Sequence, residues 1–118
     1  MIDIYKLIYD TLTPLGYDVR QQGSYSENEE LPDTFITYWL KQVSPSKHYD
    51  GEISSYKFQI QIVFYSIDAE LLQAADTLIR SVMSPANFMY ASGEDITFRE
   101  ITNRYAYGMR FNYYYKEE

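Results

Sequence analysis

Between Ile53 and Met83 the chain passes from one long strand straight into one amphipathic helix, and no other stretch constrains the fold as much. Tyr56, Phe58, Ile60, Ile62 and Phe64 share one parity while Ser55, Lys57, Gln59 and Gln61 share the other, so the strand is built to bury a single face. The period then changes to three and four. Leu71, Leu72, Ala75, Leu78, Ile79 and Val82 form an apolar stripe, with Glu70, Gln73, Asp76, Thr77 and Arg80 opposite it. Asp68 suits the N-cap of this helix, and Ile67 is placed to staple onto Leu72. A helix lying on an open sheet serves both apolar faces at once.

The flanking segments extend that unit. Ile4, Ile8, Leu12 and Leu15 predict a first helix from Ile2 to Leu12, ended by Thr13-Pro14 and Gly16. A short strand over Tyr17 to Gln22 follows, then an acidic loop from Gly23 to Asp33. Phe35 to Leu40 is apolar on both parities, so this strand is expected to be covered on both sides or to lie at a subunit contact. Val43 to Glu52, with Ser44, Pro45, Ser46, Asp50 and Gly51, reads as an extended hairpin tip. Ser84 and Pro85 stop the second helix, and Asn87 to Ala91 with Ile96 to Ile101 reads as a short hairpin turning at Ser92 to Asp95. Tyr105, Tyr107, Met109, Phe111, Tyr113 and Tyr115 then alternate along a second long strand. The predicted class is α+β: one antiparallel or mixed sheet with two helices packed on it, in the order αβββαβββ, as a single domain over residues 1–118.

Composition narrows function mainly by exclusion. A net charge of −7 gives no bulk surface for neutralising phosphates, so direct nucleic-acid recognition is not expected. Arg104 to Phe111 loosely echoes the aromatic strand of an RNA-recognition motif, but Tyr105 stands where that motif needs glycine and the element order differs. The absence of cysteine removes disulfides, thiolate catalysis and cysteine zinc sites. No apolar run approaches the roughly 20 residues of a membrane span, and the N-terminal apolar residues are broken by Asp3, Lys6 and Asp10, so a soluble cytoplasmic protein is expected. His48 is the one histidine, with Ser46 and Asp50 two residues away on either side; neighbours within one loop do not make a triad, and one histidine lacks the partners a metal site requires. Glu27, Glu29, Glu30 and Asp33 lack the glycine turn and terminal glutamate of a calcium loop and read as a solvated charge run. No catalytic group, cofactor site or metal site is expected. The excess is aromatic: 14 Tyr, 6 Phe and one Trp, most of them accounted for by strand propensity and core edges, yet more than a small core requires and suited to protein interfaces.

The first helix closing on Leu15-Gly16-Tyr17, the segment Leu31-Pro32-Asp33-Thr34-Phe35-Ile36 leading into a strand, the Tyr56-Lys57-Phe58-Gln59-Ile60-Gln61-Ile62 strand running into Leu71 to Met83, and the tyrosine-rich last strand form one pattern. Taken together it resembles the small tail-completion and head-tail joining proteins of long-tailed bacteriophages and prophages. The resemblance implies a non-enzymatic subunit that assembles as a ring, commonly a hexamer, at the end of the tail tube. It also implies tail-tube and connector proteins as partners, the host cytoplasm as the place of assembly and the virion as the destination. Strand edges, with the loops carrying Glu27, Glu29, Glu30, Lys47, His48 and Tyr49, are the expected contacts, because opposite charges on separate loops permit head-to-tail pairing. Two readings of other classes stay open. A genome neighbourhood free of capsid and tail genes would favour a bacterial interaction or adaptor domain, and a deep pocket holding paired acids would favour an enzyme.

Overall fold

A computed structural model describes residues 2–23, 30–49, 52–99 and 103–116, with the side chains of 46–49, 52–54 and 97–99 outside the described set. Asp3 caps the first helix, α1 (Ile4–Leu12), by accepting the Lys6 backbone N–H at 3.1 Å, so the helix starts two residues later than the apolar spacing suggests. A 3-10 turn at Thr13–Leu15 ends on Gly16, whose φ of 88° is the left-handed conformation that favours glycine there. The chain continues through β1 (Asp18–Gln21), β2 (Thr34–Tyr49), β3 (Glu52–Ser66), α2 (Ala69–Gln73), α3 (Ala75–Met83), β4 (Met89–Arg99) and β5 (Arg104–Lys116). Asp68 caps α2 as its position implies, accepting the N–H groups of Glu70 and Leu71 at 2.9 and 3.4 Å.

The strands form one mixed sheet in the order β1-β2-β3-β5-β4, with β1 parallel to β2 and every other pair antiparallel. The class is therefore α+β with helices on a sheet, but strand count and order differ from αβββαβββ. Met89–Arg99 is one strand rather than a hairpin, because the turn-forming residues Ser92-Gly93-Glu94-Asp95 stay in register with Arg110, Met109, Gly108 and Tyr107. Gly93 is there for close approach: a Cβ on it would stand 2.7 Å from the Tyr90 hydroxyl and 2.9 Å from an Asp76 carboxylate oxygen. The second helix is interrupted at Ala74, whose N–H is drawn to the carbonyl of Leu71. The expected loop from Val43 is strand as far as Tyr49, paired with Glu52, which leaves only Asp50-Gly51 between the paired residues. Its polar residues and Pro45 are compatible with pairing because this part of β2 has no neighbour on its outer side among the described residues.

The helices pack on one face of the sheet, α2 and α3 forming the two parts of the interrupted second one. Ile4, Ile8 and Leu12 of α1 and Ala75, Ile79 and Met83 of α3 meet Ile36, Phe58, Ile60, Ile62, Phe64, Met109 and Phe111, and burying one such side chain contributes about 1.5–3 kcal/mol. Phe35, Val63, Tyr65 and Ala106 form a smaller cluster on the opposite face, with Leu31, Trp39 and Ile96 against it. Arg104 draws the 30–33 segment over that cluster, donating from Nε to the Pro32 carbonyl and from Nη2 to the Leu31 carbonyl, both at 3.1 Å. The start of β2 is thus covered on both sides, as its double apolar parity implies. Thr37 lies there buried, and its hydroxyl has no hydrogen-bond partner among the described residues. Thr37→Val, which removes the orphaned hydroxyl and keeps the shape, is expected to be neutral or to stabilise by up to about 1 kcal/mol in a urea titration; a loss beyond about 1 kcal/mol would mean the hydroxyl is bonded.

The radius of gyration is 15.5 Å, against about 13.5 Å for a compact chain of this length, and the longest extent is 51 Å. The length of the β2–β3 hairpin is of this order, since 15 residues at about 3.3 Å each span roughly 50 Å.

Candidate functional site

Two features of the sheet are unsatisfied by the chain itself among the described residues. The first is its edges. β1 covers β2 only from Phe35 to Tyr38, with Gln22 adding one N–H to the Tyr38 carbonyl at 2.9 Å, and β4 ends the sheet on the other side. The irregularities fall on these outer strands: β2 shifts register at Leu40/Gln42, Pro45/Lys47 and Lys47/His48, and β4 at Tyr90/Ser92 and Ile96/Arg99. The central β3–β5 pair runs unbroken from Ser55 opposite Lys116 to Ser66 opposite Tyr105. Bulges confined to edges are a known guard against indiscriminate pairing, and here they leave exposed apolar groups beside them, Val43 on β2 and Met89 and Tyr90 on β4.

The second feature is the open half of the sheet face turned from the helices. Register places Lys57 opposite Tyr114, Gln59 opposite Asn112 and Gln61 opposite Arg110, all on the polar parity of the central strands. Lys41 joins them at the β2 bulge, and together with Ser92 these strands enclose a cleft of about 190 Å³. Arg110 Nε donates to Gln61 Oε1 at 3.1 Å, and Gln61 Nε2 in turn donates to the Met109 carbonyl at 3.2 Å, which holds the guanidinium over the sheet.

A third polar constellation lies on the helix side. Asp76 Oδ2 accepts the Tyr107 hydroxyl at 2.6 Å and the Tyr90 hydroxyl at 3.2 Å, while Oδ1 faces the Arg80 guanidinium as an ion pair rather than an aligned hydrogen bond. Arg80 also stands over the Tyr90 ring, 4.6 Å from its centroid. Burial pushes the Asp76 carboxyl up, but the Tyr107 hydroxyl, Arg80 and the Tyr90 hydroxyl outweigh it and hold it below the usual carboxylate range. Burial and then the Asp76 hydrogen bond raise Tyr107 far above an ordinary phenol. A carboxylate held ionised and a phenol held protonated are each far from exchanging protons near neutral pH, so the group fastens α3 to β4 and β5 rather than doing acid–base work.

Among the residues singled out by sequence, Glu27 and Glu29 lie outside the described set. Glu30 is exposed, beside the Leu31-Pro32 segment that Arg104 holds. Lys47, His48 and Tyr49 are not on a loop: their backbones are paired in β2 with Ser55, Ile53 and Glu52, at the far end of the hairpin, and their side chains lie outside the described set. Glu30, four residues before β2 begins, and this trio at its far end therefore lie apart along the hairpin. Asp76 and Arg80, placed by spacing on a solvated helix face, are instead the helix half of the tyrosine cluster, and no periodicity signals that Tyr90 and Tyr107 would meet them. No group of three or more His, Cys, Asp or Glu residues arranged for a metal occurs among the described residues. No helix there is long and apolar enough to cross a membrane. Compared with known proteins, the chain matches no family model and no curated sequence.

Proposed function

We propose that the chain is a structural subunit of phage tail completion or head-tail joining that assembles head-to-tail into a ring, with tail-tube and connector proteins as its partners. The observation that carries the assembly reading is the pair of unlike edges on opposite sides of one sheet, distal β2 and β4, unpaired among the described residues and each flanked by exposed apolar residues. A contact between two different surfaces repeats from subunit to subunit and gives a ring where the rotation closes, which is the geometry a ring requires. The phage role comes from the resemblance in element order and texture. Assembly would take place in the bacterial cytoplasm, and the finished ring would travel with the virion.

The test is negative-stain imaging of the purified chain alone and mixed with tail tubes. Closed rings, free or seated on tube ends, are the expected result, and a chain that stays monomeric in both preparations overturns the reading. If it binds extended peptides along an edge but never itself, the adaptor alternative takes its place. Replacing Glu27, Glu29 and Glu30 together with lysine is expected to impair assembly on tails and leave the thermal midpoint nearly unchanged, because rim charges set register and encounter rate more than stability. Normal assembly of the triple variant would reduce the acidic segment to a solvated surface.

A further inference from the structure

The cleft on the open sheet face concentrates charge of the wrong sign for this chain. The sequence holds 17 acidic and 10 basic residues, yet the charged side chains lining the cleft are Lys41, Lys57 and Arg110, with no carboxylate among them. Neither lysine has an ion-pair partner among the described residues, and Arg110 spends only its Nε, on Gln61. The nearest carboxylate by register is Glu94, opposite Gly108 on β5 and two residues from the Arg110 pairing, and it makes no ion pair with Arg110. Three cations on one concave surface repel one another, and the repulsion is relieved when an anion enters. Gln59, Asn112 and Ser92 add amide and hydroxyl donors around the same space.

We infer that this cleft is a carboxylate-binding site whose occupant is an acidic segment of a second copy of the chain, the contact repeating head-to-tail. This rests on the ring reading and adds to its edge contacts a polar one on the sheet face. Size argues against a cofactor: about 190 Å³ falls below the roughly 300–1,000 Å³ of small-molecule pockets and accommodates a side-chain anion. Charge argues against nucleic acid, because three cations in a chain of net charge −7 provide no track for a phosphate backbone. A second copy, in contrast, brings an excess of carboxylates. Glu30 and Asp33 near the start of β2, and Glu94 and Asp95 on β4, are exposed and without ion pairs among the described residues. Symmetry then sets the mode of contact. A two-fold contact centred on the cleft would set Lys41, Lys57 and Arg110 against their own copies, so only an unlike surface can enter.

Sedimentation velocity of the full chain over a range of protein concentrations, at roughly 50 and 500 mM salt, reads the contact directly. Wild type is expected to self-associate and to weaken about tenfold or more at the higher salt. Lys57→Glu with Arg110→Glu is expected to weaken low-salt association by about tenfold or more, while Lys57→Arg retains it. Thermal melts of each variant guard against misfolding, since both side chains are on the polar parity of the sheet. If rings form and the double charge reversal leaves association unchanged, the cleft assignment fails and the ring reading stands. Salt-sensitive association that depends on the cleft yet gives filaments or small oligomers supports the assignment and removes the ring. A chain that remains monomeric, with inorganic phosphate alone shifting the Lys57 and Arg110 amide resonances, overturns the second copy as occupant.

Discussion

Phe64→Ala should lower stability by about 3–5 kcal/mol and the thermal midpoint by on the order of 10–20 °C. Phe64 is fully buried on β3, the middle strand of the sheet, paired between Ile36 and Tyr107 and with the Tyr17 ring edge-on at 5.5 Å. Alanine there removes the ring and leaves a space bounded by two neighbouring strands and by Tyr17, which a central strand cannot shift to fill. A domain of this size is stable by only about 5–15 kcal/mol in total, so the loss takes a large share of it. Phe64→Leu should retain most of the stability, because it keeps most of the volume. Trp39→Ala provides the contrast. The apolar run Phe35 to Leu40 suggests full cover and a comparable loss for Trp39, but Trp39 is only partly buried, at the margin of the smaller cluster. Its expected cost is about 1–3 kcal/mol, and urea denaturation of the three variants ranks them directly. An equal loss for Phe64→Ala and Trp39→Ala would mean that the open face is as well covered as the helix face.

The difference between those two aromatics shows what the sequence makes legible. Alternation over Tyr56 to Phe64 and Tyr105 to Tyr115 identifies the face that the helices cover, but it misses the end of the sheet where the other face is also covered: there Val63, Tyr65 and Ala106 are buried on the opposite parity and Tyr105, expected to be buried, is exposed. Helix α3 and the Asp68 cap are legible, being determined by residues within one or two turns. Edges behave differently. Ser44, Pro45 and Ser46 look like a loop because strand preferences describe half-buried central positions, and an edge tolerates polar residues and a missing N–H. Gly93 looks like a turn because the reason for it, the approach of Asp76 from α3, is 17 residues away along the chain and visible only in three dimensions. The cleft is concealed in the same way. Lys41, Lys57 and Arg110 come from three strands, and only the β2 bulge and the β3–β5 register bring them together.

Gly93→Ala is expected to destabilise by about 1–3 kcal/mol even though strand propensity alone favours the alanine by roughly 0.5–1 kcal/mol. The added methyl would fall within 2.9 Å of Asp76 Oδ2, within 2.7 Å of the Tyr90 hydroxyl and closer still to the Tyr107 hydroxyl, so it fits only if the three groups separate. Asp76→Asn acts on the same contact, replacing a charged acceptor of two hydroxyls with a neutral one, at a similar cost. Because both substitutions undo one cluster, the double variant should lose clearly less than the sum of the two. Additive losses would show that Gly93 serves the strand and not the cluster. The pH dependence gives an independent sign. Asp76 is held below its ordinary value in the fold, so its contribution is fully present above the unfolded carboxylate pKa near 3.9 and is lost as pH falls through the folded one. Tyr107 is held above its ordinary value, so its contribution is present below the unfolded phenol pKa near 10 and is lost as pH rises beyond it. Wild type should therefore lose more stability than Asp76→Asn on acidification below about pH 4, and more than Tyr107→Phe on the alkaline side above about pH 10. Thermal melts across both ranges, with the wild-type and variant curves parallel on either side, would show that the carboxylate and the phenol do not hold α3 to the edge of the sheet.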